Sequence, residues 1–351
     1  MPDVHTANKA ALTTLRSAMV DFEETRVRSA LRDLIAPEAT VHMPHPFGDL
    51  TGPDALYEAC YAPLFAAMPD LERRDWIVVG GQTEAGDDWI GCGGHYVGTF
   101  VGPWLDIPPT GHLAHMRFHE FYRFEEGHVV EIQAIWDIPE VMMQANAWPM
   151  APSLGREFCI PGPATNDGLV EGPWNKPQST ASCELIVEML AFMKKHPTQG
   201  GPELMEMPRF WHERMNWYGP AGIGTARGIA GFRHWHQIPY LNAMPDRGQY
   251  PDEVTYHFFG DGDYTAVTGW PNMIQTVTQD GWMGVAPTHK RITMKSLDFW
   301  RIENGKIREN WVMVDLLDAY RQMGVDVFAR LREFNKARVP GRVPFPIGEK
   351  A

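Results

Sequence analysis

Several things are missing from these 351 residues, and each absence narrows the field. Cysteine is scarce: Cys60, Cys92, Cys159 and Cys183 are scattered, with no CxxC pair. That excludes a disulfide framework and a zinc ribbon, and suggests reduced thiols in a cytoplasmic protein. No HExxH is present to bind zinc on a helix, and no metal is expected. Positive charge is in deficit, with 31 Lys and Arg against 44 Asp and Glu, a formal net charge of −13. Without a basic face to neutralise phosphates, a nucleic-acid partner is not expected. No apolar run approaches a membrane span, and the opening MPDVHTANKAALTTL lacks the basic-then-apolar pattern of a secretory leader. What remains is an ordinary globular balance, 44% apolar and 21% charged, with 13 Trp and 19 Met to fill cores or line apolar pockets.

The chain repeats itself. Pro109–Gln144 aligns with Pro287–Gln322 without a gap at an offset of 178, and 10 of the 36 positions are identical. Chance would give roughly two. The identities include Arg123/Arg301, Gly127/Gly305, Glu131/Glu309 and Asp137/Asp315. At an offset of 176, Met68-Pro69-Asp70 matches Met244-Pro245-Asp246, and Pro44 matches Pro220. Two tandem units are therefore expected, 1–145 and 179–325, joined by a Pro/Gly-rich linker over 146–178 and followed by an extension over 326–351.

Periodicity supplies the elements. In the first unit, helices are expected near 8–22 (with Asn8 as cap), 26–35 and 54–68. Strands follow near 73–80, 87–100, 112–125 and 128–137. In the second, helices are expected over 181–195, 203–213 and 228–243, then strands near 252–259, 263–277, 290–302 and 306–315. Helices first and an antiparallel sheet after is an α+β order.

The run Pro109-Thr110-Gly111, Arg123-Phe-Glu-Glu-Gly127-His-Val129, Glu131 and Asp137 resembles the SnoaL-like polyketide cyclases of the nuclear transport factor 2-like superfamily. So does Pro287-Thr288, Arg301-Ile-Glu-Asn-Gly305-Lys-Ile307, Glu309, Trp311, Asp315 and Gln322. The resemblance implies two cone-shaped units, each a curved sheet wrapped on helices. It implies a general acid/base at Asp137 and Asp315, and aldol cyclisation or isomerisation of a small carbonyl compound, with neither metal nor cofactor. The expected ligand is aromatic or polyketide-like. Single-unit relatives associate through the outer sheet face, so the chain is expected to act as a pseudo-dimer of its own halves, with a homodimer as a further possibility.

Strand alternation places Glu309, Trp311, Met313 and Asp315 on one face, read as the inside of the cone. The competing role for Asp315 is to cap the helix that follows. His236, from Arg233-His234-Trp235-His236, is placed beside Asp315 as a third catalytic candidate. Trp270 and Tyr218 complete an aromatic lining in the second unit. His95 and Gln133 supply a more polar one around Asp137. A zinc reading of His234 and His236 with His212 and His257 lacks ligand spacing. Two rival functions stand beside the cyclase: a hydrolase on the same scaffold, and a ligand-binding or scaffold protein without chemistry.

Overall fold

The computed structural model describes residues 3–336. The architecture is α+β: two six-stranded sheets, each packed with helices. The first sheet is built from β1 (Ile35–His42), β2 (Asp49–Thr51), β3 (Glu72–Gln82), β4 (Asp88–Thr99), β5 (Leu113–Glu125) and β6 (His128–Trp136), in the order β2-β1-β6-β5-β4-β3. The second uses β7 (Trp211–Tyr218), β8 (Ala226–Arg227), β9 (His257–Asp261), β10 (Tyr264–Thr268), β13 (Ser296–Glu303) and β14 (Lys306–Val314), in the order β8-β7-β14-β13-β10-β9. Between them in the chain, β11 (Met273–Thr276) and β12 (Arg291–Met294) form a separate pair. The two orders correspond strand for strand.

Four strands were not expected: β1 and β7, which pair in parallel with β6 and β14, and the short β2 and β8, which pair antiparallel with β1 and β7. The expected helix 203–213 is instead a 3₁₀ turn Pro202–Met205 and a short helix Met207–Phe210, after which the chain enters β7. Tertiary pairing overrides local propensity here. The first helix starts earlier than expected, at Val4, because Asp3 rather than Asn8 caps it by accepting the Thr6 amide at 3.0 Å. Residues 146–175 contain no helix or strand, only the isolated bridges Arg156↔Thr225 and Val78↔Leu169. Of the expected C-terminal extension, Val327–Lys336 is a helix, and 337–351, with its basic Pro-rich run, lies outside the described residues.

Each sheet has helices on one face. Its other face packs against the other sheet, through a cluster that includes Ile77, Val79, Phe121, Phe259, Phe299, Trp311 and Met313. Phe121 and Phe299, equivalent at the offset of 178, stack on each other at 5.0 Å, so a local pseudo-twofold passes between them. Close approach there needs Gly91, where a Cβ would stand 2.8 Å from the Phe299 ring. A buried ion pair, Lys9 Nζ to Asp261 at 2.7 Å, crosses the same boundary.

Candidate functional site

The paired aspartates come first. Each follows the last residue of its strand, β6 or β14, and each is 3% exposed. Asp315 accepts the Asp318 amide at 3.1 Å, capping the helix Leu316–Met323, and accepts the His45 amide of the other unit at 3.0 Å. Asp137 accepts the Ala221 amide of the other unit at 3.0 Å, with Arg117 Nη2 at 3.4 Å. His45 and Ala221 are equivalent at the offset of 176. Each aspartate therefore grips the other unit's turn, the reciprocal pattern of an isologous contact. Burial pushes the Asp315 carboxyl up to about 6, against the pull of Lys295 and the His45 amide. Burial and then Glu140 push Asp137 upward as well, while Arg117 opposes them.

The parity of β14 differs from expectation. Asn310, Val312 and Val314 look into the second unit, whereas Trp311 and Met313 belong to the cluster between the sheets. Trp311 stacks on Tyr218 at 5.4 Å and donates its indole N–H to the Pro161 carbonyl at 2.9 Å. Glu309 is held by Arg301 at 2.6 Å. Trp270 stacks on His42 of the other unit at 5.5 Å, and Gln133 accepts the Thr268 hydroxyl across the same boundary. His95 takes the Trp76 indole N–H at 3.2 Å. Trp311, Met313, Tyr218, Trp270, Gln133 and His95 thus serve the junction of the units and its linker, and none lines the cavity described next. Alternation had separated the two faces correctly. It misassigned which one is inside, because both faces of β14 are buried.

The second unit is open within. A cavity of about 90 Å³ lies between its helices and the concave face of its sheet. His236 lines it, as expected of that helix, but lines it without Asp315. A π-turn, Arg233–Gln237, interrupts the helix there, a feature that often re-aims side chains at sites. The His236 ring lies flat on Trp217, with centroids 4.0 Å apart and planes 13° apart. Burial pushes its pKa down to about 3, so the ring is neutral at pH 7. The acid that enters the cavity is Asp298 on β13. Burial pushes its carboxyl up to about 7, although the Ser296 hydroxyl donates to it at 2.6 Å and Arg247 attracts the charged form. Tyr240 also lines the cavity and donates to Gln275 at 2.7 Å. Outside lies a vestibule of about 330 Å³, rimmed by the linker at Ala151, Pro152 and Leu154 and by the loop 280–286. Ile223, His236 and Trp282 border both spaces and stand between them.

Sequence reasoning missed Asp298, yet a signal was available. It aligns with Glu120 at the offset of 178, an acid kept in both copies and placed on the face opposite Phe299. In the first unit that acid is fully engaged. Glu120 receives Arg73 at 2.5 Å, the Tyr122 and Tyr96 hydroxyls at 2.6 and 2.8 Å, and the Trp136 indole N–H at 2.9 Å. Trp136 and Phe118 occupy the positions of Val314 and Ser296, so bulky rings stand where the second unit has its cavity.

A polyketide-cyclase family model, described as SnoaL-like polyketide cyclase, matches the chain twice, over residues 13–145 and 202–323. Among solved structures, IdmH from Streptomyces antibioticus is 21% identical, with 40% of this chain and 98% of that one covered and a TM-score of 0.34. A SnoaL-like protein from Jannaschia sp. CCS1 is 22% identical over 41% and 94%, with a TM-score of 0.35. An NTF2-like protein from Burkholderia thailandensis E264 is 18% identical over 40% and 96%, with a TM-score of 0.31. No curated protein matches the chain. Among the described residues, no helix is long and apolar enough to cross a membrane.

Proposed function

The chain belongs to the SnoaL-like polyketide cyclase family, and on that premise we propose that its second unit carries out acid/base chemistry on a small carbonyl compound, with Asp298 as the proton carrier. One observation carries this reading: a carboxyl with a pKa of about 7 faces a largely apolar cavity. At neutral pH such a group is part ionised and part protonated, the condition in which one residue can both take and return a proton. Ionised Asp298 removes a proton from the carbon beside the carbonyl. Neutral His236 offers its N–H to the enolate oxygen, as a neutral imidazole can. In an aldol closure the enolate carbon attacks a second carbonyl of the same molecule, and the alkoxide formed recovers the proton from Asp298. Nothing is oxidised or reduced.

The cavity is small, so the reacting end occupies it and the rest of the substrate extends past Ile223, His236 and Trp282 into the vestibule. Aromatic neighbours such as Trp217 and Trp282 suit a flat, unsaturated compound. Asp137 and Asp315 take a structural role in this reading: they hold the two units together. The two units would serve as each other's partner, and the chain would need no second copy to cover the outer faces of its sheets.

The test uses a panel of small β-dicarbonyl compounds in D₂O, with deuterium entry at the α-carbon followed by NMR. The chain should speed exchange for at least one, and Asp298→Asn should remove that acceleration. Unchanged exchange in Asp298→Asn would refute the assignment. A second reading, binding without turnover, is favoured by the small volume of the cavity; tight binding with no exchange in any compound would select it.

A further inference from the structure

The linker carries a thiol to two histidines of the first unit. His95 on β4 lies opposite Arg117 on β5, which makes His115, two residues away, a diagonal neighbour on the same face. The two rings stand 5.7 Å apart at 84°. Cys159, on the linker, completes the group: one ligand atom from each of the three lies within 4.8 Å of the others. His95 is 7% exposed, and its Nε2 has no protein partner. His115 Nδ1 lies 3.2 Å from Glu140 Oε1, and the other oxygen of that carboxylate is fixed by the Arg117 amide at 2.6 Å. The Glu140 carboxylate is within ion-pairing reach of that nitrogen but off the angle of a hydrogen bond, and a small turn of the ring would give the carboxylate support that metal-bound histidines use.

We propose that His95, His115 and Cys159 form a site for a borderline divalent transition metal of the zinc class. Two imidazoles and a thiolate suit such an ion, and three protein ligands leave a fourth position for water. Metal–ligand bonds of about 2.0–2.3 Å put tetrahedral ligands roughly 3.3–3.8 Å apart, so the three groups must close by about 1 Å. Cys159 is the one free to move, being exposed on a stretch without regular structure. Binding releases the thiol proton to solvent. In the metal-free chain the Trp76 N–H on His95 Nδ1 keeps the ring proton on Nε2. The metal takes Nε2, the proton shifts to Nδ1, and the Trp76 hydrogen bond is given up. Trp76 therefore competes with the metal.

The experiment titrates the full chain with Co²⁺, whose bond to a thiolate gives a near-ultraviolet charge-transfer band, and then displaces it with Zn²⁺. One equivalent should bind with the band. Cys159→Ser, at an exposed position that does not threaten folding, should abolish the band. Glu140→Gln should weaken Zn²⁺ about 10–100-fold, and Trp76→Phe should tighten it. Absence of stoichiometric binding, or a band that survives Cys159→Ser, would overturn the proposal.

Discussion

The interiors of the two units share one frame and hold opposite contents. In the first, the acid of the fifth strand, Glu120, is ringed by Arg73, Tyr96, Tyr122 and Trp136. In the second, the matching acid, Asp298, has one hydroxyl, Ser296, and an open cavity. The difference shows how a duplicated fold divides its work. Glu120 is paired with Arg73, takes three further hydrogen bonds and locks the core; Asp298 is left desolvated and poised. Two exchanges open the space, Trp136 for Val314 and Phe118 for Ser296.

The contrast can be broken in order of expected effect. Asp298→Asn should cost about 10²–10⁴ in catalysed exchange, the usual value of a positioned acid/base, with the fold retained on circular dichroism. If Asp137→Asn and Asp315→Asn together abolish exchange in a folded chain while Asp298→Asn does not, the chemistry belongs at the strand ends instead. Glu120→Ala should leave Arg73 with Asp75 alone, at 3.0 Å, and the buried Tyr96, Tyr122 and Trp136 donors without their acceptor, and should destabilise the chain by about 3–5 kcal/mol, read as a lowered denaturant midpoint. Its effect on exchange in the second unit should be small, provided the chain stays folded.

Ser296→Phe would make the second interior more like the first. It should abolish ligand binding, and overpacking should cost about 1–3 kcal/mol in stability. Asp315→Ala removes a cap and the grip on the His45 amide, for about 1–2 kcal/mol; Asp315→Asn, which still offers an oxygen, should cost less. The smallest effect is a pH slope. Asp298 and Asp315 have folded pKa values of about 7 and about 6, above the ordinary 3.8. The folded chain therefore holds protons that the unfolded chain has released. Their stabilisation is complete below about pH 4 and is lost as the pH rises towards 7. Asp298→Asn should flatten this loss when denaturant midpoints are compared at pH 5 and pH 8.

Much of the fold was legible because its signals are local. Glu126-Gly127 and Asn304-Gly305 turn the hairpins with positive φ, as residues of that kind do. The helix bearing His236 and the helix after Asp315 also lie where spacing put them. The site was less legible. Leu297, Phe299, Trp311 and Met313 form an apolar face as convincing as that of a cone interior. Ser296, Asp298, Asn310 and Val312, which do line the cavity, look more like a solvated face. The β1 and β7 strands were missed because their long partners, β6 and β14, lie far along the chain and pair in parallel, while their chain neighbours β2 and β8 are too short to show a period.

By itself, the sequence determined the duplication, the α+β order, the family and the pair of aspartates at the strand ends. Those rest on identities and on backbone preferences that act within a few residues. The tertiary structure decided which face of each strand looks inward. A strand between a helical layer and a second sheet buries both faces, so alternation distinguishes them without saying which is the interior. Only the packing of one sheet on the other gave Trp311 to the junction and Asp298 to the cavity.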